Sequence, residues 1–156
     1  MKKVAFAVIG DPAAQGSKTP AINKKTGKPF MMEGQTKEAR EKFKSWRSLV
    51  REAAAERFDD VGQFHDGPIS VEVDYFFAIP KGRIRKSVIA TPIIMRWKWK
   101  APDVDKLARA VLDALTQSGL IKDDSRVCVL TVRKYEVVGR LGARIVVSEM
   151  EDPEAL

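Results

Sequence analysis

The chain has 156 residues, which suits one domain whose core needs neither disulfides nor a structural metal. One cysteine and one histidine exclude a disulfide framework and a zinc site of Cys and His ligands. No apolar run approaches the roughly 18–20 residues that span a bilayer, and residues 4–9 are too few for a signal peptide core. We therefore expect a single-domain protein, residues 1–156, in a reducing cytoplasm and without a membrane partner.

The net charge of +7 is concentrated in one stretch of the sequence. Residues 81–100 contain seven basic residues and no acidic residue, so the other 136 residues are neutral in sum. The seven are Lys81, Arg83, Arg85, Lys86, Arg96, Lys98 and Lys100. Such a concentration favours a polyanionic partner, and these residues are candidate nucleic-acid contacts. A solvated basic loop is the alternative.

The first third of the chain predicts a strand, a long loop and a helix. Residues 4–9 form the strand. Residues 10–35 are rich in Gly, Pro, Lys and Ser/Thr without periodicity, which predicts a long basic loop. Its lysines Lys18, Lys24 and Lys25 are further candidate contacts for a polyanion. Thr36 is the predicted N-cap of a helix that ends near residue 58. Its predicted buried stripe consists of Phe43, Trp46, Val50, Ala53 and Ala54.

The middle of the chain predicts two strands. A connector over residues 59–67 contains His65, which we expect to be exposed. Residues 69–77 alternate apolar and polar, the pattern of a half-buried strand, and Pro80 ends it. Residues 95–100 also alternate, with Arg96, Lys98 and Lys100 on one face and Met95, Trp97 and Trp99 on the other. We expect the Trp face to pack into the core rather than to stack on nucleic-acid bases.

The last third predicts a helix and two strands. The helix begins at Asp103 and ends before Gly119, with an apolar stripe of Leu107, Val111, Ala114 and Leu115. Residues 127–135 and 143–148 are predicted strands, joined through residues 139–142 as a hairpin. Cys128 lies in the first of them and is expected to be buried and inert. The order β-α-β-β-α-β-β predicts an α+β domain, a mixed sheet with two helices on one face.

Four aspartates flank the second helix. Asp103 and Asp105 form a D-x-D pair at its start, and Asp123 and Asp124 precede the next strand. Residues i and i+2 lie about 200° apart on a helix, but an N-cap residue after Pro102 takes extended dihedrals, so the first two carboxylates can converge. Carboxylates brought together repel one another unless a cation lies between them, and all-oxygen ligands suit Mg²⁺ or Mn²⁺. The pattern predicts a metal-dependent nuclease centre.

Each aspartate also has a purely structural interpretation. Asp103 serves as a helix N-cap, Asp105 and Arg109 form a surface ion pair, and Asp123 and Asp124 are turn residues. A calcium EF-hand is excluded, because Ala108 and Ala114 occupy the positions that require Gly and Glu. The sequence has no phosphate-binding glycine motif, which argues against a nucleotide cofactor.

Residues 102–115, Pro-Asp-Val-Asp-Lys-Leu-Ala-Arg-Ala-Val-Leu-Asp-Ala-Leu, followed by Asp-Asp-Ser-Arg-Val over residues 123–127, resemble the RusA family of Holliday junction resolvases. That family occurs in bacteria and their phages. Its signature is a D-x-D-N-x-x-K helix start, a D-A-L within the helix and a D-D before the next strand. The resemblance implies a homodimeric, Mg²⁺-dependent endonuclease, with Mn²⁺ as a possible substitute. Such an enzyme cuts four-way DNA junctions by paired symmetric nicks.

By position in the motif, the resemblance implies that Asp103, Asp105 and Asp124 bind the metal. Two residues depart from the signature: Lys106 replaces its Asn, and Arg109 replaces its Lys. Arginine cannot donate a proton as lysine can, so we expect an electrostatic role that Arg109 and Lys106 share. Two alternatives stay open. One is a nuclease that prefers flaps or forks, and the other is a non-catalytic DNA-binding protein with a decayed metal site.

Overall fold

A computed structural model describes residues 1–64, 66–81 and 95–154, and the predictions for His65, Arg83, Arg85 and Lys86 fall outside these residues. The elements are β1 (Lys3–Ile9), β2 (Lys18–Ile22), β3 (Pro29–Glu33), α1 (Lys37–Val61), β4 (Ile69–Ala78), β5 (Met95–Trp97), α2 (Val104–Gln117), a 3-10 turn (Asp124–Arg126), β6 (Val127–Val137) and β7 (Gly142–Glu149). The predicted α+β fold with two helices and a mixed sheet is confirmed. Within the described ranges, no helix is long and apolar enough to cross a membrane.

The five-stranded sheet has the order β1-β7-β4-β6-β5, with β4 at its centre. β4 pairs antiparallel with β7 and parallel with β6, so the predicted hairpin between β6 and β7 is wrong. β7 buries Ile145, Val146 and Val147 on both of its faces, and such a strand is stabilised by an inner position beside β4. The helix-facing residues of β4 are buried as predicted: Ile69, Val71, Val73, Tyr75 and Phe77.

The predicted long loop contains a hairpin that its sequence does not reveal. β2 and β3 pair antiparallel as a separate two-stranded sheet. Asn23 forms the turn, because its Oδ1 accepts hydrogen bonds from the backbone N–H of Lys25 at 2.9 Å and of Thr26 at 3.3 Å. The hairpin is largely exposed, so no alternation of buried apolar residues marks its strands.

The first helix begins as predicted and extends three residues further. The Thr36 side chain accepts a hydrogen bond from the backbone N–H of Ala39 at 3.2 Å, and Gly62 ends the helix with a φ of 71°. Of the predicted stripe, Trp46, Val50 and Ala54 are buried. The remaining two, Phe43 and Ala53, are only half-buried. The predicted stripe of α2 is buried throughout: Leu107, Val111, Ala114 and Leu115.

The face of the sheet away from the helices is here called the open face. Its side chains include Glu72, Asp74 and Phe76 of β4, Trp97 of β5, Arg133 and Tyr135 of β6, and Arg144 of β7. The aromatic residues stack across the strands, with ring centroids 5.8 Å apart for Phe76 and Tyr135 and 4.9 Å apart for Trp97 and Tyr135. These contacts place the aromatic rows on the side of the sheet opposite to α1 and α2.

The expectation that the two tryptophans pack into the core is wrong. The alternation itself is present, because Arg96 and Lys98 both reach Glu136 on the helix side of the sheet. Trp97 therefore points to the open face and is 63% exposed, and Trp99 is 78% exposed. β5 is an edge strand, and the buried carboxylate of Glu136 takes the inward space beside it.

Candidate active site at the start of α2

Asp103 and Asp105 present two exposed carboxylates at the beginning of α2. Asp103 is the N-cap residue and has an extended backbone, with a φ of −72° and a ψ of 142°. Its side chain makes no capping hydrogen bond. Its Oδ2 lies 3.4 Å from Nζ of Lys106. Across the described parts of the chain, Asp105 and Arg109 form no ion pair. Among the described residues there is therefore neither a capping hydrogen bond from the Asp103 side chain nor an i,i+4 ion pair between Asp105 and Arg109.

Lys134 of β6 holds the segment that leads to Asp103. Its Nζ donates hydrogen bonds to the carbonyl oxygen of Pro102 at 2.6 Å and to that of Lys100 at 3.1 Å. Burial and the charge of Lys98 lower the pKa of Lys134, and Asp103 acts in the opposite direction. Lys134 was not among the residues predicted from the sequence. Its position on the inward-facing side of a strand, unusual for a lysine, could have indicated a functional role.

The first turn of α2 is also attached to the centre of the sheet. The Tyr75 hydroxyl of β4 donates a hydrogen bond to the Leu107 carbonyl oxygen at 2.8 Å. Tyr75 is fully buried, and burial raises the pKa of its hydroxyl well above the usual range. Because both contacts join α2 or its leader to inner strands, the position of the D-x-D pair is fixed by the core.

Asp123 and Asp124 have different roles at the other end of α2. Asp123 is the N-cap of the 3-10 turn and accepts a hydrogen bond from the Ser125 backbone N–H at 2.8 Å. Hydrogen bonds from the side chain and backbone of Ser125 lower the pKa of Asp123. Asp124 is exposed. The fully buried Leu120 and Ile121 anchor this connection in the core.

One chain does not bring the three predicted metal ligands together. The 14 residues of α2 span about 21 Å, and Asp103 and Asp124 lie at its opposite ends. Residues 1–64, 66–81 and 95–154 contain no group of three or more His, Cys, Asp or Glu side chains placed to hold a metal ion. The described part of one chain therefore does not by itself form a site from Asp103, Asp105 and Asp124.

The D-x-D pair alone suits Mg²⁺ by its chemistry. Mg²⁺ in phosphate-processing sites is often held by one or two carboxylates, with water and substrate phosphates as its other ligands. Asp103 and Asp105 are both exposed, so an ion of this kind has access to both. The roles of Asp103, Asp105 and Asp124 as metal ligands remain predictions.

A cleft of about 420 Å³, here called the site cleft, adjoins the D-x-D pair. Its lining residues are Gln15, Gly16, Ser17, Lys18, Asp105, Lys106 and Arg109. A Cβ atom at Gly16 would lie 2.5 Å from side-chain atoms of Gln35, so a larger residue there would displace that side chain. Gln35 in turn donates a hydrogen bond from Nε2 to the Ala14 carbonyl oxygen at 3.1 Å. The cleft thus places three cations beside the Asp105 carboxylate.

A family model described as endodeoxyribonuclease RusA matches residues 13–148, nearly the whole chain. The chain belongs to the RusA endodeoxyribonuclease family. The match includes the D-x-D pair, Asp124 and the residues of the site cleft. No curated protein matches the sequence. Membership in the RusA family makes DNA the substrate class to be tested at the start of α2.

The predicted DNA-contacting residues of this RusA-family chain differ in how available their charges are. Six of the described ones are exposed: Lys18, Lys24, Lys25, Lys81, Arg96 and Lys100. Arg96 and Lys98 point toward Glu136, with nitrogen–oxygen distances of 3.1 and 3.7 Å. The Lys98 side chain is only 13% exposed, and its Nζ lies 5.1 Å from the centre of the Phe77 ring. Lys98 therefore holds β5 to the sheet.

Cys128 is exposed at the start of β6, so the expectation of a buried thiol is wrong. Its neighbours Val129 and Leu130 are each 43% exposed. The apolar sequence at this end of β6 therefore does not correspond to a buried strand.

Proposed function

We propose that this RusA-family chain is a Mg²⁺-dependent endodeoxyribonuclease that resolves four-way DNA junctions. It makes paired symmetric nicks with 5′-phosphate and 3′-hydroxyl ends. The observation that carries the proposal is the state of Asp103: an N-cap residue whose carboxylate does no capping, beside an unpaired Asp105, in a chain of this family. Asp103 makes no capping hydrogen bond and is engaged only by the neighbouring Lys106 among the described residues, so both carboxylates are accessible to a hydrated divalent ion.

Asp103 and Asp105 would hold the metal ion, and when bound Mg²⁺ or Mn²⁺ would supply Lewis-acid activation of water and of the phosphoryl group. Lys106 and Arg109 line the same cleft as Asp105. Their positive charges would stabilise the charge that develops on the phosphoryl oxygens. The proposed contribution of Arg109 is electrostatic, because an arginine guanidinium does not serve as a proton donor.

We propose further that the enzyme acts as a homodimer in which Asp124 of a second copy completes the site at Asp103. The support is that α2, about 21 Å long, separates Asp103 from the segment that contains Asp124. A two-fold dimer would contain two such shared sites. Two sites related by that axis would suit a substrate with two-fold symmetry and paired nicks.

Cleavage of a synthetic four-way junction in Mg²⁺ and in EDTA tests the activity, with linear duplex and flap substrates as controls. Paired nicks at the junction that EDTA abolishes are expected. Preferential cutting of flaps would favour a nuclease for other branched DNA. Tight binding without cutting in Mg²⁺ or Mn²⁺ would indicate a DNA-binding protein with a decayed site.

Mixed dimers test the shared site. Asp103→Asn and Asp124→Asn chains, each inactive alone, are unfolded together, refolded and assayed. In a shared arrangement, each mixed dimer has one intact site, formed by Asp103 of one copy and Asp124 of the other. We expect single nicks to reappear in the mixture. If each site lay within one chain, no mixed dimer would have an intact site, and the mixture would stay inactive.

A further inference from the structure

One face of α1 carries a row of basic residues that are not among the DNA contacts predicted from the sequence. The five residues, here called the α1 stripe, are Lys37, Arg40, Lys44, Arg47 and Arg51. Their spacing alternates between three and four residues, so at 100° per residue they lie within an arc of about 80°. From first to last they extend about 21 Å along the helix axis.

The α1 stripe faces a cleft rather than open solvent. This cleft of about 540 Å³, here called the stripe cleft, is lined by the first four members of the stripe. Its other lining residues are Gln15, Gly16, Ser17, Lys18, Gln35, Glu41 and Phe43. Among the described residues, the cleft is lined by five cations and by one carboxylate, that of Glu41. Such an excess of one sign in a concave surface concentrates a polyanion there.

The stripe cleft and the site cleft share four lining residues, which are 15–18. This short segment has the α1 stripe on one side and the residues Asp105, Lys106 and Arg109 on the other. A strand lying across residues 15–18 would therefore pass from the cations of α1 to the carboxylates of α2. The two clefts form one path.

Among the described residues, three of the five stripe residues contribute no ion pair to the fold. In the part of the chain that the structure describes, Lys37, Lys44 and Arg51 make no ion pair, and all three are exposed. Arg47 donates a hydrogen bond from Nε to the neutral Oε1 of Gln117 at 3.2 Å. By contrast, Arg57 on another face of α1 pairs with Asp60 at 2.8 Å. The stripe residues repel one another, and bound phosphates would offset that repulsion.

We propose that the α1 stripe and residues 15–18 bind the backbone phosphates of the DNA strand that continues from the scissile phosphate at α2. This inference rests on the proposed function for the identity of the ligand. One strand of duplex DNA rises about 3.4 Å per nucleotide, so the length of the stripe corresponds to about six nucleotides. In the sequence the stripe is separate from the predicted contacts within residues 81–100, and it would add a second anchor for the DNA.

The test compares two double variants that remove the same charge. Lys37→Gln/Lys44→Gln alters the stripe. Lys3→Gln/Lys42→Gln alters an exposed lysine of β1 and one on another face of α1, paired with Asp11 at 3.8 Å. Binding of a labelled four-way junction is measured between about 50 and 200 mM salt, without Mg²⁺. Thermal unfolding of both variants verifies that the fold is retained.

For the stripe variant we expect the slope of log affinity against log salt to fall by about 1.8, or about 0.9 for each lost phosphate contact. At about 0.1 M salt this weakens binding roughly eightfold per contact. The control should keep the wild-type slope. Equal slopes for the two variants would overturn the inference. Because binding is measured without cleavage, a failure of the proposed nuclease activity leaves this comparison intact.

A positional measurement tests the path itself. Lys44→Cys in a Cys128→Ser background carries a tethered DNA-cleaving reagent, since Cys128 is exposed and would also be labelled. Strand breaks confined to about six nucleotides on one side of the branch point are expected. Breaks spread evenly over all four arms would contradict the proposed path.

Discussion

The open face of the sheet and the clefts on its helix side differ in how their charges are paired. On the open face, Arg133 pairs with Glu72 at 3.1 Å and also with Asp74, and Arg144 lies 3.6 Å from Asp74. In the two clefts, Asp105 and the lysines of the α1 stripe have no such partners among the described residues. The number of basic residues alone therefore does not identify the proposed DNA-binding surface, because those of the open face are already paired within the chain.

The largest expected effect is on the helix side. Asp103→Asn and Asp124→Asn should each reduce junction cleavage by about 10³-fold or more, because a metal ion contributes several kcal/mol to the transition state. Junction binding should be retained. The matched control is Asp123→Asn, since asparagine also caps helical turns and this carboxylate is engaged by Ser125. Single-turnover cleavage rates measure all three. Loss of activity in Asp123→Asn alone would reverse the assignment.

The sheet that separates the two sides depends on a close backbone approach. A Cβ atom on Gly142 would lie 1.9 Å from the Val8 carbonyl oxygen, and its φ is 147°. Gly142→Ala should lower the free energy of unfolding by roughly 3 kcal/mol, measured by urea denaturation. Gly139 has a similar φ of 136° but no atom within 4 Å of its Cβ position. Gly139→Ala should cost about 1 kcal/mol, and equal losses would show that the clash is unimportant.

A smaller effect is expected at Lys134, which lies on the helix side of the sheet. Lys134→Met removes two hydrogen bonds to the segment before Asp103 and should cost about 1 kcal/mol of stability. Cleavage at saturating Mg²⁺ and DNA should slow several-fold, because Asp103 is less firmly positioned. Lys134→Arg can donate to both carbonyl oxygens and should restore most of the rate. A Met variant with unchanged cleavage would show that Lys134 does not position Asp103.

The smallest effect is predicted on the open face. Arg144→Gln removes a charge that is already paired with Asp74, so the salt dependence of junction binding should stay at the wild-type slope. The double variant in the α1 stripe serves as the comparison in the same titration. A fall of about 0.9 in the slope for Arg144→Gln would mean that the open face also contacts phosphates.

The features predicted correctly from the sequence depend on local patterns. Thr36 caps α1 because a threonine hydroxyl reaches the N–H three residues later, and the alternation of β4 reports which face is buried. The start of α2 at the D-x-D pair follows from the same local rules. These features need only neighbouring residues, so a single sequence was sufficient to find them.

The features predicted wrongly depend on contacts between distant residues. Nothing within residues 127–148 indicates that β4 lies between β6 and β7. Trp97 reaches the open face because Glu136, in another strand, takes the inward position. Lys134 acts through hydrogen bonds to the carbonyl oxygens of Lys100 and Pro102, more than 30 residues away in the sequence. Asp103 is separated from Asp124 because the whole length of α2 lies between them. Each depends on a spatial arrangement that periodicity does not contain.

The rigid span of α2 has a consequence for how activity depends on the amount of enzyme. If Asp103 and Asp124 meet only between two copies, an isolated chain has no complete site. At concentrations below the dimer dissociation constant, the cleavage rate should then rise with the square of the chain concentration. A newly made chain would therefore be harmless to DNA until a second one accumulates beside it.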